Sequence, residues 1–155
     1  MSDEKVVFLD IDGPMIPATC FLYDRMASYE RRFPPTTLAV IKAVCERTGA
    51  KIVFNTTHNI SFPEVDDICV ALVKQGLPAE YLHQDHHTRY PELDRDLAVK
   101  EWLGRHPTEA WIAFDDVHFT KDERLIFIDS DAGLHIGHLN IAVEKLGGKP
   151  FIVLI

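Results

Sequence analysis

The sequence has few cysteines and no long apolar run, and the pattern of its first residues predicts no secretory signal. Cys20, Cys45 and Cys69 are an odd number at spacings that match neither a zinc ribbon nor a paired redox motif, which predicts reduced thiols in a cytoplasmic protein. No apolar run approaches the roughly 20 residues of a transmembrane helix, so no membrane contact is expected. The acidic start, MSDEKVVFLD, is the opposite of the basic start of a secretory signal.

Clustered basic residues and glycine-rich loops are also lacking. The formal net charge is -8, so the surface repels polyanions on average, and contact with nucleic acid needs a local basic patch. No glycine-rich loop ending in Lys-Ser or Lys-Thr is present, which excludes a P-loop nucleotide-binding protein. These absences leave chemistry carried by acidic and hydroxyl side chains as the first possibility to consider.

The composition and the apolar pattern predict one α/β domain over residues 1–155. At 155 residues, with 46% hydrophobic and 26% charged residues, the chain has enough apolar surface for one core. Strands alternate with helices, which predicts a Rossmann-like three-layer sandwich with a mainly parallel central sheet. The predicted strands cover residues 5–10, 51–55, 81–83, 110–114, 125–129 and 151–155. The predicted helices cover residues 35–49, 63–75, 93–105 and 135–146.

Acidic and hydroxyl side chains follow three of the predicted strands. Asp10 ends the first strand and Asp12 lies just beyond it, Thr56 follows the second strand, and Asp115 and Asp116 follow the strand at 110–114. The carboxyl ends of parallel strands meet at one edge of the sheet, where such folds bind ligands. Asp10 and Asp12 lie two residues apart on one side of an extended segment. The sequence therefore predicts a site at this edge.

These residue types suit phosphoryl transfer. A carboxylate such as Asp10 can attack phosphorus, and a second, such as Asp12, can protonate the leaving oxygen and then activate water. The approach of a carboxylate to phosphate needs a hard cation and hydrogen-bond donors. Asp115 and Asp116 complete an oxygen-rich Mg²⁺ site, and the Thr56 hydroxyl donates to the phosphoryl group. A basic residue from the helix at 93–105 neutralises the remaining charge.

The motifs VVFLDIDG, IVFNTT and WIAFDD, with a basic residue on a helix between the last two, resemble the four motifs of the haloacid dehalogenase (HAD) superfamily. The resemblance covers nearly the whole chain. It implies that Asp10 is nucleophile and metal ligand, and that Asp12 is acid/base and contributes its backbone carbonyl to the metal. It also implies that Thr56 holds the phosphoryl group, that Asp115 binds Mg²⁺, and that Asp116 supports that site or binds through water.

Two residues are candidates for the basic residue of the third motif. The run from Arg95 to Trp102, followed by the AWIAFDD strand, resembles the small, capless branch of the superfamily related to RNA-repair phosphatase domains. The family's Lys near the start of this helix is replaced at roughly that place by Arg95. Lys100 is the right residue type but lies more than a turn further along. Arg95 is the preferred candidate.

The short segments at 14–33 and 59–93 leave no room for a large cap domain, so the site is expected to be open. An open site suits phosphate groups on polynucleotide ends or proteins, or on small molecules if a neighbouring subunit of an oligomer supplies a lid. Net acidity argues against polynucleotides, and the family resemblance argues for them. The phosphorylated substrate therefore stays open among these classes.

Other functions remain as alternatives. A response-regulator receiver ranks low because its phosphoacceptor ends the third strand, whereas Asp10 follows the first. A catalytically silent module that binds a phosphorylated partner ranks below an enzyme because both Asp10 and Asp12 are present. Phosphotransfer to an alcohol competes with hydrolysis, since the motifs do not separate them. His83, His86 and His87 are interpreted as solvated residues of a loop at 83–91, not as metal ligands.

Overall fold

The structure is a computed structural model that describes residues 3–57, 62–89 and 94–152, without the side chains of residues 62 and 63. The strands are β1 (Lys5–Leu9), β2 (Lys51–Phe54), β3 (Leu82–His87), β4 (Ala110–Asp115) and β5 (Leu125–Phe127). The helices are α1 (Pro35–Thr48), α2 (Phe62–Lys74), α3 (Arg95–Arg105) and α4 (Ile136–Leu146).

The five strands form one sheet in the order β3-β2-β1-β4-β5, and every adjacent pair is parallel. β1 is central because its apolar run, KVVFL, is covered on both faces and is buried after its first residue. Its register with β4 pairs Leu9 with Phe114 at the carboxyl end of both strands. The predicted α/β sandwich is confirmed, and the predicted parallel sheet accounts for all five strands.

Alternate residues of β1 belong to two hydrophobic cores on opposite faces of the sheet. Val7 and Leu9 belong to the larger core, to which α1, α2 and α4 contribute buried side chains. Val6 and Phe8 belong to the smaller core, which includes Trp102 of α3. The Phe8 and Trp102 rings meet edge to face at 5.4 Å between centroids. Helix α3 therefore lies on the face opposite α1, α2 and α4.

The segment at 83–87 corrects the sequence prediction, because it is the main part of strand β3 and not a loop. The predicted third strand, 81–83, begins one residue early and ends four residues too soon. This stretch, LHQDHH, lacks an apolar alternation, and its register against β2 is irregular. Its anchor comes from tertiary contacts: the His83 ring packs edge-on against Trp102 at 4.9 Å, and Trp102 Nε1 donates to the Asp85 carbonyl at 3.0 Å.

Within the described residues, the two segments at 14–33 and 59–93 contain no large cap domain, as predicted. Residues 14–33 form turns and a 3₁₀ helix, Ala18–Leu22, and residues 62–89 form α2, a short 3₁₀ turn and β3. The predicted terminal strand at 151–155 lies partly outside the described residues, and residues 151 and 152 are not in a strand. In the ranges that the structure describes, no helix is both long and apolar enough to cross a membrane.

Candidate active site

Asp10 and Asp115 are neighbours because β1 and β4 end side by side. Leu9 pairs with Phe114, and the Asp10 amide donates to the Phe114 carbonyl at 3.1 Å, so the two carboxylates follow at the same level. Both side chains are buried. One carboxylate oxygen from each of Asp10, Asp115 and Asp116 lies within 4.8 Å of the other two. Three of the predicted site residues are thus brought together at the carboxyl edge of the sheet.

Gly13 makes room for Asp116. Its φ of 101° lies in the region that glycine adopts readily, and the turn it forms closes through a hydrogen bond from the Gly13 amide to the Ile16 carbonyl at 3.0 Å. A Cβ atom at this position would lie 2.6 Å from Asp116 Oδ2. The glycine after Asp12 is therefore required by the approach of the third carboxylate as well as by the turn.

Gly13→Ala is expected to lower kcat/KM for the predicted phosphoryl transfer about 100-fold, because the added Cβ displaces the Asp116 carboxylate. A displacement on the order of 1 Å at a catalytic group has an effect of this size. Gly76→Ala is the matched control, because Gly76 also has a positive φ of 118° but no atom within 4 Å of an added Cβ. The measurement is kcat/KM beside the unfolding temperature. Equal losses of activity in the two variants would show that backbone strain, not the displaced Asp116, is responsible.

Arg95 reaches the cluster from the first residue of α3. The helix begins there because the Asp94 side chain caps it, accepting from the amides of Asp96 at 2.9 Å and Leu97 at 3.1 Å. Arg95 Nη1 lies 3.1 Å from Asp10 Oδ2, and 2.7 and 2.8 Å from the two Asp115 oxygens. The side chain is only 16% exposed. One guanidinium therefore joins the two buried carboxylates.

Two buried polar residues hold the start of α3 against the sheet. The Asn55 side-chain amide donates to the Arg95 carbonyl at 3.5 Å, and the Thr88 hydroxyl donates to Asn55 Oδ1 at 2.7 Å. Asn55 follows β2, and its own amide donates to the Leu9 carbonyl at 2.9 Å. Sequence reasoning missed this link between β2, β3 and α3. The position of Asn55 directly after an apolar strand was the only available signal.

The structure does not place Lys100, the other candidate for the third motif, among these carboxylates. Five residues along a helix correspond to about 7.5 Å of rise and about 140° of rotation away from Arg95. The Lys100 ammonium lies 2.8 Å from Asp96 Oδ2, and its side chain is 67% exposed. The prediction of Lys100 as a site residue is therefore not supported by the geometry, whereas Arg95 lies at the cluster.

Asp12 is not one of the three clustered carboxylates, and it is exposed whereas Asp10 and Asp115 are buried. Its side chain is exposed, and Oδ1 accepts a hydrogen bond from the Ser28 hydroxyl at 3.1 Å. Ser28 belongs to the segment between the 3₁₀ helix and α1, and nothing in the sequence indicated this contact. The predicted contribution of the Asp12 backbone carbonyl to a metal stays a prediction.

Thr56 lies near the carboxyl end of β2, one residue after Asn55, and is buried. The hydrogen bond from the Asn55 amide to the Leu9 carbonyl keeps this strand end beside the end of β1. Its predicted role in holding a phosphoryl group stays a prediction. His58, for which the sequence leaves open both a place at the pocket mouth and a local turn contact, lies outside the described residues.

Burial, together with repulsion from neighbouring acids, raises the pKa values of Asp10 and Asp115. Burial raises the pKa of Asp10 to about 8, the charge of Asp115 adds to the rise, and Arg95 opposes it. Burial likewise raises the pKa of Asp115 to about 6, again against the effect of Arg95. One guanidinium thus offsets only part of the charge of three carboxylates. An all-oxygen donor set with excess negative charge fits a hard divalent cation such as Mg²⁺.

A family described as "HAD domain in Swiss Army Knife RNA repair proteins" matches residues 6–138. The chain belongs to this family. The match begins in β1 and ends in α4, so the carboxylate cluster, Arg95 and Thr56 all lie inside the HAD domain. No curated protein and no solved structure matches the chain. Membership of this HAD family supports a hydrolase-like or phosphotransferase-like function, and the acidic cluster is compatible with it.

The stability of the metal-free HAD domain should fall as the pH rises from about 6.5 to about 8. The pKa of Asp10 is about 8 in the folded protein and 3.8 ordinarily, so in this window the folded state binds more protons than the unfolded state. Its unfolding free energy therefore decreases with pH. Below about pH 6.5 the titration of His138 opposes this decrease. Burial lowers the pKa of His138 to about 4, so the unfolded state binds more protons there and the unfolding free energy rises with pH.

The measurement is the unfolding temperature in a chelator at several pH values across that window, with an expected fall of several degrees, since about 1 kcal/mol corresponds to roughly 2–4 °C in a protein of this size. Added Mg²⁺ should restore stability most strongly at the upper end. Asp10→Asn should flatten the profile. An unfolding temperature that stays constant or increases across the window in the unsubstituted protein would contradict the raised pKa.

Proposed function

We propose that this HAD domain is a Mg²⁺-dependent phosphomonoester hydrolase that passes through an aspartyl-phosphate on Asp10. The observation that carries the proposal is the cluster of Asp10, Asp115 and Asp116 oxygens within 4.8 Å, contacted by the Arg95 guanidinium. A nucleophilic carboxylate beside a cation site and a fixed positive charge is the arrangement that attack on a phosphate monoester needs.

In the first step an Asp10 oxygen forms a bond to phosphorus while the bond from phosphorus to the leaving oxygen breaks. Asp12 gives its proton to that oxygen, so an alcohol departs. In the second step Asp12 takes a proton from water, which attacks phosphorus and releases inorganic phosphate and the Asp10 carboxylate. The exposure of Asp12 suits a group that must exchange protons with both a leaving group and water.

The other residues provide charge and orientation. Asp10, Asp115 and Asp116 would hold Mg²⁺, which supplies charge neutralisation for the approach of carboxylate to phosphate. Arg95 contributes a fixed positive charge that stabilises the negative charge of the transition state. Thr56 donates its hydroxyl to a phosphoryl oxygen. Ser28 orients Asp12 through its hydrogen bond to Oδ1.

The proposed substrate is a phosphorylated polynucleotide end. The absence of a cap domain among the described residues leaves the edge of the sheet open to a large substrate, and the matching family is named for RNA repair proteins. The net charge of -8 opposes long-range attraction of a polyanion, so binding must rely on contacts close to the site. Phosphoproteins and small phosphates are the other classes to include in a test.

The test is phosphate release from a panel of 3′- and 5′-phosphorylated oligonucleotides, a phosphopeptide and small phosphomonoesters, each with Mg²⁺ and with a chelator. We expect release that requires Mg²⁺ and is fastest for an oligonucleotide. Phosphorylation of an added alcohol in place of release would assign phosphotransfer to the same site. Release that does not require Mg²⁺ would overturn the proposed metal dependence, and binding without release from any compound would overturn the hydrolase.

A further inference from the structure

Two exposed aromatic rings, those of His118 and Phe127, are stacked on each other near the acidic cluster. The Val117 amide donates to Asp115 Oδ1 at 2.9 Å, which turns the chain directly after β4. His118 then stacks on Phe127 of β5, with 4.1 Å between ring centroids and 3° between ring planes. Neither residue has a role in the proposed phosphoryl transfer.

Strand register places this pair beside the carboxylates. Asp115 pairs with Phe127 across the parallel strands β4 and β5, which are spaced about 4.8 Å apart. Residues paired in this way point to the same face of the sheet. Leu125, two residues before Phe127, packs against the core that contains Trp102, so this is the face covered by α3. Phe127 therefore flanks Asp115 on the face from which Arg95 reaches it.

The pair is not used to complete a hydrophobic core. Phe127 is 44% exposed and His118 is exposed, although Ile126 of the same strand is buried. Both rings line an open cavity of about 720 Å³, whose other walls include the basic Lys121 and the acidic Asp122 and Glu123. Ligand sites commonly have volumes of about 300–1,000 Å³. A flat, partly apolar surface next to a phosphoryl site thus faces a space large enough for a planar ring.

We propose that His118 and Phe127 form a stacking subsite for the base of the nucleotide that carries the scissile phosphate. The inference rests on the proposed function, because it places the rest of the substrate once phosphorus is at Asp10. Every nucleobase has a flat π face that stacks on aromatic side chains, whereas its polar edges stay solvated in an open cavity. Stacking needs no net positive charge, which suits a protein with a net charge of -8.

The experiment compares kcat/KM on two oligonucleotides with the same terminal phosphate, one with a base on its terminal nucleotide and one abasic there. Phe127→Ala should lower kcat/KM about 5- to 100-fold on the base-bearing substrate, mainly through KM, and less than about twofold on the abasic one. Phe127→Trp should retain the base preference. Phe127→Leu keeps an apolar side chain but removes the ring, so this variant should lose the base preference. Phe151→Ala is the control, since Phe151 is 39% exposed beside a groove between α1 and α4.

Affinity for the same oligonucleotides, measured by fluorescence anisotropy with Asp10→Asn as background, tests the subsite without turnover. A preference for the base-bearing oligonucleotide that Phe127→Ala removes supports it. Equal losses on base-bearing and abasic substrates would show that Phe127 acts only on the fold. An effect confined to a phosphotyrosine peptide would overturn the assignment to a nucleobase. If no substrate releases phosphate, the proposed function fails, and equal affinities for the two oligonucleotides would then overturn the subsite separately.

Discussion

Asp10→Asn should reduce phosphate release by on the order of 10⁴-fold or more while the protein still folds, because a carboxamide does not replace a carboxylate nucleophile. The side chain keeps its size within the buried position after β1. The variant should also be more stable than the unsubstituted protein in a chelator near pH 8, since it removes a buried acid whose pKa is raised to about 8. Loss of activity and gain of stability in one variant separate a catalytic role from a structural one.

The measurement is single-turnover phosphate release in saturating Mg²⁺, with the unfolding temperature recorded alongside. Acid quenching of the reaction with labelled substrate should trap phosphate on the unsubstituted protein and none on Asp10→Asn. Asp67→Asn, an exposed residue of α2, is the matched control and should be unchanged in both measurements. Turnover within tenfold of normal in Asp10→Asn would remove Asp10 as the nucleophile.

Arg95→Ala and Lys100→Ala should differ sharply although both residues lie on α3 and both form ion pairs with acids. Removal of a preorganised positive charge from the transition state typically lowers kcat about 10²–10³-fold, and we expect this for Arg95→Ala. Lys100 forms an exposed pair with Asp96, and such pairs contribute about 0–1 kcal/mol, so Lys100→Ala should leave kcat within about twofold.

Mg²⁺ affinity provides an independent readout of the same pair of variants. Arg95 Nη1 contacts Asp10 and Asp115 directly, so its removal increases the negative charge of the cluster. Calorimetry should therefore show tighter Mg²⁺ binding by Arg95→Ala, together with its lower kcat, and no change for Lys100→Ala. Weaker Mg²⁺ binding by Arg95→Ala would show that the guanidinium supports the metal site. Similar kcat values for the two variants would remove Arg95 as the charge stabiliser.

The open edge of the sheet limits what the acidic cluster can select by itself. Asp10 and Asp115 are buried, but Asp12 is exposed and no cap domain covers it within the described residues. Capless sites of this kind must obtain specificity from neighbouring surface. The His118–Phe127 pair is one such surface, and the segment that carries Ser28 is another, because it contacts the proposed acid/base residue directly.

Sequence reasoning succeeded where local pattern and strand topology agree. Apolar runs such as KVVFL indicated buried parallel strands, and their carboxyl ends indicated a shared edge for Asp10 and Asp115. It failed at β3, whose polar LHQDHH run has no strand periodicity. There the strand is held by the hydrogen bond from Trp102 to the Asp85 carbonyl and by the packing of His83, contacts between residues about 20 positions apart.

The sequence by itself determined the α/β class, the parallel sheet and the edge at which three acids meet, because apolar runs mark buried strands and their alternation with helices favours parallel pairing. The resemblance to HAD proteins rested on the motifs and not on this pattern. Only the tertiary structure showed that Arg95, and not Lys100, contacts the buried carboxylates. It also showed that Ser28 donates to Asp12 and that an exposed ring pair lies beside Asp115. These features depend on which helix face meets the sheet and on how separate segments approach. A pattern of residue types along the chain carries no measure of those distances.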